Sequence, residues 1–464
     1  MPDLLSRFEK YGVAVPEILL PDPSRCDYKK WSVIACDQFT SQPAYWKDAE
    51  DAVGGAPSTL RVILPEIYLA DDFNGRVSAI HKKMDEYLNG GLFCGPFNGF
   101  ILVERVFRDK DGVDRSRWGL ILAVDLEKYS YRQEDMPLIR SSEETVGDRL
   151  PPRVTIRRGA PLESPHVLVL ADDAEKLLIE PLAEAAKAGK FEKAYDFELM
   201  AQGGHVRGYK IYGGALDDIE SALGLLMKKA MNVSNDPVLF AVGDGNHSLA
   251  AAKSYWDELK GAGGGCPQAR YALVEIINLY SDAVRFEPIH RALYNADPQI
   301  IIKEAMGYFK DRGVQIYKDT EGNSKTPIPD GEKPLGSALV KNGAAGHDGE
   351  TGLSGYTYQM MYGENTVGLY IGKPAANLPV AEIQAFIDHY CDKYPGVKTD
   401  YIHGYDELLR LAREENCFCF MLPPVYKDGF FTAIAANGPM PRKSFSMGEA
   451  RDKRYYLEVR KITP

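Results

Sequence analysis

The stretch from 240 to 253 reads Phe-Ala-Val-Gly-Asp-Gly-Asn-His-Ser-Leu-Ala-Ala-Ala-Lys. Its apolar start predicts a β-strand and its alanine-rich end predicts an α-helix, with Gly-Asp-Gly as the turn between them. Backbone N–H groups at a helix start bind anions, and the helix dipole favours negative charge there. Because Gly243 and Gly245 allow a ligand to approach the backbone closely, the stretch predicts a phosphate-binding turn.

The side chains of this turn suit chemistry on a bound anion. Asp244 and His247 would position a metal ion or move a proton, and Asn246 and Ser248 lie in the helix start that would hold the anion. A simpler interpretation is that Asp244 and Asn246 only cap the helix, since Asp-Gly-Asn is common in turns. The motif is not a Walker loop, because no Gly-Lys-Ser/Thr follows it.

Upstream of this stretch, two partly alternating apolar runs predict a β-hairpin. They cover residues 100–107 and 118–126, and Asp109-Lys110-Asp111-Gly112 between them supplies a tight turn. Further along the chain, strand-like and helix-like segments alternate. The sequence therefore predicts a mixed α/β (α+β) fold, with the hairpin and the strand-to-helix turn in its core.

Two later stretches predict surface loops and a domain boundary. Residues 318–333 and 342–355 are rich in Gly, Pro, Asn and Asp and contain few large apolar residues. We place the boundary just before them, near residue 295. This gives an N-terminal α/β region, 1–295, which carries the site, and a C-terminal α/β region, 296–464.

Composition limits the classes of function. The 464 residues contain 55 Lys and Arg against 66 Asp and Glu, a net charge of −11. A generic nucleic-acid binder would show a basic excess instead. The chain begins without the apolar core of a signal peptide and has no apolar run long enough to span a bilayer. The seven scattered cysteines are typical of reduced thiols, so we expect a cytoplasmic protein without membrane or nucleic-acid partners.

An arginine-rich segment interrupts this acidic composition. Ile139 to Arg149 follows the hairpin, and Arg153, Arg157 and Arg158 come soon after it. Guanidinium groups bind phosphate or carboxylate oxygens with two hydrogen bonds at once, so the segment suits a phosphorylated small molecule. The alternative is a solvated basic face or a set of surface ion pairs.

Three further short motifs are weak alone. Asp37 ends an apolar segment, His290 and Arg291 stand at a strand end, and Lys443 and Ser444 follow Met-Pro-Arg near the end of the sequence. Each could contact a ligand. A His-Arg pair at a strand end is also common as a purely structural feature.

Taken in order, these segments resemble a bacterial and archaeal family of uncharacterised proteins, domain of unknown function 1015. The matching segments are residues 36–38, 117–121, 140–145, 243–248, 288–291 and 440–444. The segment 36–38 matches the family pattern only at Asp37, and the chain also departs from that pattern at three positions of the central motifs. Ser142 and Asn246 each replace a histidine, and Ser248 replaces an arginine, so roles that depend on those family side chains do not transfer.

The central turn is also similar to that of the ParB, sulfiredoxin and free serine kinase superfamily. This resemblance implies a ParB/sulfiredoxin-like core in which a strand-to-helix junction binds phosphate. Sulfiredoxin chemistry needs a cysteine in the turn, and none occurs between Cys94 and Cys266. The acidic charge argues against the DNA binding of the ParB branch.

The resemblance implies a phosphotransfer or phosphohydrolase enzyme acting on phosphoserine or a similar small phosphorylated metabolite. The expected activity is that of a phosphoserine phosphatase or a serine kinase-like phosphotransferase, with Mg²⁺ and a nucleotide such as ADP as expected cofactors. The alternatives are a nucleotide-binding switch without catalysis and a scaffold protein. Phosphate release and nucleotide binding would separate these classes.

The same resemblance implies a role for each motif residue. Asp244 and Glu143 would hold Mg²⁺ or activate the attacking oxygen, and His247 would be the general acid or base. Arginines would neutralise the charge that develops on the phosphoryl group. The implied phosphate- or substrate-binding residues are Gly243, Gly245, Asn246, Ser248, Arg140, Thr145, Arg149, His290, Arg291, Lys443, Ser444 and Asp37.

Overall fold

The structure is a computed structural model that describes residues 4–40, 42–145, 147–263, 266–318, 326–327, 355–376, 378–414 and 417–463. The chain divides into two compact units. The first unit takes residues 1–285, 434–439 and 447–464, and the second takes residues 286–433 and 440–446. The predicted division into the regions 1–295 and 296–464 stays a prediction.

Both units contain helices and strands, which confirms the predicted mixed α/β class. The strands of the first unit before residue 285 are β1 (Val13–Ala14), β2 (Glu17–Ile18), β3 (Phe97–Asn98), β4 (Phe100–Arg108), β5 (Asp114–Asp125), β6 (Tyr129–Ser130), β7 (Ile139–Ser141), β8 (Leu162–Glu163), β9 (Leu168–Ala171), β10 (Glu192–Glu198), β11 (His205–Ile211), β12 (Phe240–Asp244) and β13 (Tyr271–Asn278). The helices of the same part are α1 (Leu4–Arg7), α2 (Tyr28–Trp31), α3 (Pro43–Val53), α4 (Phe73–Asn89), α5 (Leu150–Arg157), α6 (Glu180–Lys187), α7 (Ala215–Val233) and α8 (Asn246–Gly261).

The later elements follow in chain order. The strands are β14 (Phe286–Tyr294), β15 (Val314–Lys318), β16 (Thr326–Pro327), β17 (Tyr356–Tyr362), β18 (Asn365–Ile371), β19 (Lys398–His403), β20 (Phe418–Met421), β21 (Phe445–Met447) and β22 (Arg460–Lys461). The helices are α9 (Pro298–Tyr308), α10 (Pro379–Lys393), α11 (Tyr405–Glu414) and α12 (Phe430–Asn437).

A mixed sheet forms the centre of the first unit. Its strand order is β10-β11-β4-β5-β13-β9-β12-β7-β6, and β1 also pairs with β5. The strands β4 and β5 are the predicted hairpin, paired from Arg108 opposite Asp114 back to Ile101 opposite Ile121. The strands β7 and β12 run parallel, so their carboxyl ends lie at the same edge of the sheet.

Alternation along the central strands gives the sheet two apolar faces. In β5, Leu120, Leu122 and Val124 belong to one core cluster, whereas Ile121 belongs to the other. Successive side chains of a strand point to opposite faces, so a strand that is apolar throughout must be covered on both sides. Helices α6, α7 and α8 supply residues to the first cluster. Helices α2, α3 and α4 supply residues to the second.

The last part of the first unit is the segment of residues 447–464, here named the C-terminal segment. It packs Tyr455, Leu457 and Val459 into the second core cluster. Isolated backbone pairings join Tyr455 to Ile34 and Val459 to Leu19, and β22 pairs antiparallel with β8. The segment is therefore an integral part of the unit that begins more than 400 residues earlier in the sequence.

A buried group of charges fastens the C-terminal segment to the sheet. The Arg454 guanidinium forms ion pairs with Glu275 on β13 and with Glu458, and each of these side chains is at most 5% exposed. The Tyr195 hydroxyl donates to the second Glu458 oxygen. Nearby, Arg117 donates to the Asp452 carbonyl at 2.7 Å. Charges at this depth are tolerated only when they are paired and hydrogen-bonded.

The second unit has its own sheet and core. Its strand order is β16-β15-β18-β17-β20-β14-β19, and β21 also pairs with β14. Side chains of α9 and α10 pack with those of β17, β18 and β20 in one apolar cluster. Among the residues that the structure describes, no helix in either unit has both the length and the apolar character that crossing a bilayer requires.

We expect Arg454→Met to lower the free energy of unfolding by about 3–5 kcal/mol, because it leaves the buried Glu458 without its positive partner and Glu275 with only Arg117, at 3.7 Å. Urea denaturation monitored by circular dichroism would measure the change. The matched control is Arg158→Met, which removes an ion pair with Glu258 whose two side chains are 54% and 44% exposed. We expect that control to change stability by less than about 0.5 kcal/mol. Equal effects of the two substitutions would contradict the importance of the buried group.

Candidate active site

The strand-to-helix turn forms as predicted. The strand β12 ends at Asp244, Gly245 has a φ of +81°, and α8 begins at Asn246. A Cβ atom on Gly245 would lie 3.0 Å from Val167 Cγ2, and one on Gly243 would lie 2.4 Å from Met447 Sδ. Positive φ and close packing therefore explain why both positions hold glycine. The atoms that a side chain at either position would meet belong to the protein itself.

Asn246 joins the two central sequence motifs. Its Oδ1 accepts from the Ser142 backbone N–H at 3.2 Å and lies 2.6 Å from Ser141 Oγ. These contacts tie the end of β7 to the first residue of α8. Glu143 is in the same connection, because its carbonyl accepts from Ser141 Oγ at 2.7 Å. The segments around 140–145 and 243–248 are thus brought together at one edge of the sheet.

Asp244 interacts with a lysine that the sequence did not single out. Lys453 Nζ lies 3.0 Å from Asp244 Oδ1, and the lysine side chain is only 5% exposed. The other carboxylate oxygen, Oδ2, is buried and has no hydrogen-bond partner. A buried acceptor without a partner is unusual in proteins, so this oxygen is available to a proton, a cation or a ligand donor.

His166 was also not singled out, and it lies beside the same turn. Its Nε2 is 2.9 Å from Ser248 Oγ, and its Nδ1 is 3.2 Å from the Tyr456 hydroxyl. Burial lowers the pKa of His166, although the negative charges of Asp37 and Asp244 act in the opposite direction. The imidazole is therefore neutral near pH 7 and able to accept a proton.

Asp37 belongs to the same electrostatic environment. Burial alone would raise the pKa of this carboxyl, but the opposing effects of His166, a 2.9 Å hydrogen bond from Gln38 and the charge of Lys453 lower it overall. Asp37 is thus held as a carboxylate. We name the five residues Asp37, His166, Asp244, Ser248 and Lys453 the Asp244 cluster.

Arg140 and Thr145 are not part of the Asp244 cluster. The Arg140 guanidinium donates to the backbone carbonyls of Pro137 and Asp236 at 3.1 and 3.0 Å and to those of Ile434 and Ala435 at 3.3 Å. These bonds use four of its five N–H groups, and its predicted contact with a phosphate stays a prediction. The Thr145 hydroxyl is buried without a hydrogen-bond partner.

The other arginines of the basic segment are mostly paired within the first unit. Arg153 pairs with Glu66, Arg157 pairs with Glu163 at 2.5 Å, and Arg158 pairs with Glu258 at 2.8 Å. Only the pair of Arg158 with Glu258 is the surface ion pair of the alternative interpretation, because the side chains of the other two pairs are at most 19% exposed. The Arg149 side chain is exposed.

The remaining predicted residues belong to the second unit. His290 Nδ1 accepts from the Leu422 N–H at 3.1 Å, and burial lowers the pKa of His290 to about 4. Arg291 donates from Nε to Gln384 Oε1 at 2.7 Å and lies against the Tyr401 ring. Because β21 pairs with β14, the strand that follows Ser444 lies on the same sheet as the His-Arg motif.

The late motif also contains a local hydrogen bond and a left-handed backbone position. Ser444 Oγ donates to the Pro441 carbonyl at 2.6 Å, and Lys443 has a φ of +58°. His247, in the first turn of α8, is half-buried. The predicted roles of Lys443, Ser444 and His247 in binding or proton transfer stay predictions.

Metal binding was predicted for Asp244 and Glu143. Within the described ranges, no group of three or more His, Cys, Asp or Glu side chains is arranged to hold a metal ion. The residues nevertheless fit Mg²⁺, because this ion is often held by one or two carboxylates together with water and substrate phosphates. The unpartnered Asp244 oxygen is one suitable ligand.

Comparison with known proteins gives a family match and distant structural likenesses. The family described as "Protein of unknown function (DUF1015)" matches residues 22–389. No curated protein sequence matches the chain. A conserved hypothetical protein from Pyrococcus furiosus is 10% identical with a TM-score of 0.34, over 74% of this chain and 95% of that one.

Two more solved structures are similarly distant. Free serine kinase in complex with AMP is 11% identical with a TM-score of 0.34, over 73% of this chain and 87% of that one. SbnI with a C-terminal truncation, from Staphylococcus aureus, is 9% identical with a TM-score of 0.33, over 74% and 82%. Likenesses at this level carry no argument about the activity or the ligands of this chain.

We expect the pKa of His166 to lie below its usual value of about 6.5 and to fall further in Asp37→Asn, because that change removes a negative charge that favours the imidazolium. Titration of the His166 ring proton by NMR, assigned with His166→Gln, would measure both values. The control Asp48→Asn, at an exposed position of α3, should leave the value unchanged. A rise in Asp37→Asn would contradict the described environment.

The same depressed pKa predicts a pH dependence of stability. A histidine whose pKa is lower in the folded state than in the unfolded state binds fewer protons when folded. His166 therefore contributes stability that is fully present above about pH 6.5 and is lost as the pH falls through its folded pKa. Urea midpoints from pH 7.5 to 5 should decline more steeply in the wild type than in His166→Gln. Parallel declines would contradict this assignment.

Proposed function

The chain belongs to the family of proteins of unknown function DUF1015, and from the geometry of its Asp244 cluster we propose that it is a phosphotransfer or phosphohydrolase enzyme acting on a small phosphorylated molecule. One observation carries the proposal. The buried Lys453 ammonium and the unpartnered Asp244 oxygen meet at the start of α8. A cation, a helix start and a free carboxylate oxygen suit a phosphoryl group and the atom that attacks it.

Phosphate binding would rest on Lys453 and the first turn of α8. The residue that precedes the helix, Gly245, has no side chain with which to cap the N–H groups of that turn. An anion at this position would therefore meet the positive end of the helix dipole as well as the ammonium group. In this proposal Lys453 takes the charge-neutralising role that the resemblance implied for arginines such as Arg140 and Arg149.

Proton transfer would rest on His166 and Ser248. In the tautomer that carries its proton on Nδ1, the imidazole donates to Tyr456 and accepts from the Ser248 hydroxyl through Nε2. An attacking hydroxyl group or water beside Ser248 would pass its proton through that serine to the imidazole. His166 is thus a stronger candidate for the general base than His247.

Asp244 would bind Mg²⁺ or activate the attacking group through its unpartnered oxygen. That oxygen would accept a hydrogen bond from the attacking group or would be one ligand of Mg²⁺. When bound, such an ion would withdraw negative charge from the phosphoryl oxygens. Its other ligands would be water and phosphate oxygens. A nucleotide such as ADP stays a proposed phosphate donor or acceptor.

We expect Asp244→Asn to lower the rate of phosphate release by about 10²-fold or more, because it removes the carboxylate that binds or activates the reacting atoms. The assay follows inorganic phosphate from a panel of phosphomonoesters that includes phosphoserine, with and without Mg²⁺ and ADP. The control Asp257→Asn lies on the same helix, where its carboxylate pairs with Lys253. Equal rates for the wild type and Asp244→Asn would remove Asp244 from the site.

The variant Lys453→Met tests phosphate binding separately from turnover. We expect it to weaken the binding of inorganic phosphate by at least about tenfold in isothermal titration calorimetry, because it removes the buried cation. Wild-type protein that releases phosphate from no member of the panel would overturn the enzymatic proposal. Nucleotide binding without turnover would then favour the switch.

A further inference from the structure

A cavity of about 160 Å³ lies within the first unit beside the Asp244 cluster. His166 and Ser248 are part of its wall, so the cavity adjoins the helix start at which we place the phosphate. A cavity of about 150 Å³ with an apolar lining is known to hold benzene. The volume therefore suits an organic group of about that size, attached to the phosphate.

The wall of the cavity is mostly apolar. The apolar side chains that define it most clearly are Trp31, Val62, Leu64, Met84, Leu162 and Val459. They come from five separate parts of the sequence, and each of them is at most 7% exposed. Ile63, Leu69 and Ile156 are half-buried and also line the cavity.

The ionisable groups in the wall are neutral or already paired. Arg153 is paired with Glu66, and Arg157 is paired with Glu163. Burial raises the pKa of Cys36 to about 12, so its thiol carries no charge near pH 7. An ammonium and a carboxylate, such as those of serine, would lose their water here without gaining a partner of opposite charge.

We propose that the substrate of this site is a phosphate monoester whose organic part is uncharged and apolar, and that this part occupies the cavity beside His166 and Ser248. The inference rests on the proposed function, because it takes the phosphate position from it. It differs from the expectation of phosphoserine, whose organic part carries two charges. An aryl or branched alkyl phosphate has the required chemistry.

The experiment compares phenyl phosphate, phosphoserine and inorganic phosphate by isothermal titration calorimetry on the full chain. We expect phenyl phosphate to bind at least about tenfold more tightly than the other two, since a buried apolar group commonly contributes that factor or more. Equal affinity for phenyl phosphate and phosphoserine would overturn the apolar substrate class. It would leave the proposed phosphate chemistry intact.

Variants of the cavity wall test where the phenyl group binds. Ile156→Trp and Ile63→Trp each add bulk from a half-buried position, and we expect either one to reduce the preference for phenyl phosphate to less than about threefold. Retained affinity for inorganic phosphate would show that the variant is folded. The control is Thr155→Trp, on the same helix but outside the lining, which should keep the preference.

Two further outcomes separate this inference from the proposed function. If neither variant alters a clear preference for phenyl phosphate, the cavity is not its binding place and the inference fails. If no phosphate compound binds the wild type, the proposed function fails as well. Lys453→Met should weaken all three compounds by a similar factor, because it acts on the phosphate that they share.

Discussion

The ion pairs of Arg454 with Glu275 and Glu458 are the constraint on which the first unit depends. Their charges lie between the sheet and the C-terminal segment, where neither partner can return to water without opening the unit. The neighbours of Arg454 in sequence then reach the candidate site from a fixed backbone. Lys453 meets Asp244, and Tyr456 meets both His166 and the Cys36 N–H.

This arrangement explains how the site holds charges in an apolar setting. Lys453 and Asp244 form a buried pair, and a hydrogen bond from Gln38 and the charge of Lys453 favour the ionised form of Asp37. A buried pair of this kind adds little to stability by itself, since desolvation offsets most of the attraction. We infer that it serves to keep a cation and a carboxylate oxygen in place before any ligand arrives, so that binding need not order them.

The local parts of the fold could be predicted from the sequence, but the partners of the site could not. Alternation around Asp109 to Gly112 predicted the hairpin, and the Gly-Asp-Gly stretch predicted the strand-to-helix turn, because both signals are contained within a few residues. Lys453 is 209 residues from Asp244, and His166 is 82 residues from Ser248. Only the folding of the whole unit brings such residues together.

In the basic segment, closeness in sequence did not indicate which partners the arginines have. Its arginines were considered together because they are close in sequence, yet Arg153, Arg157 and Arg158 each have a separate acidic partner. Those partners come from other parts of the chain or from the next strand, and nothing in the local composition indicates them. Arg140 likewise binds carbonyls from positions about 100 and 300 residues away.

Two of the departures from the family pattern are in contact with each other. The Ser142 N–H donates to Asn246 Oδ1, and Asn246 Nδ2 donates to Ser142 Oγ at 3.4 Å. The third, Ser248, contacts His166. Two small polar side chains in contact occupy positions where the family pattern has two histidines. The turn of this chain therefore has its own set of hydrogen bonds, with the imidazole supplied from position 166.

The discontinuous make-up of the first unit has a consequence for synthesis on the ribosome. Residues 286–446 emerge before the C-terminal segment, and at about 5–20 residues per second this takes roughly 10 to 30 s. During that interval Glu275 has no Arg454, and the apolar face that will hold Tyr455 and Leu457 is uncovered. During this period the nascent chain is exposed to chaperones and proteases. The exposure ends only when the C-terminal segment has emerged.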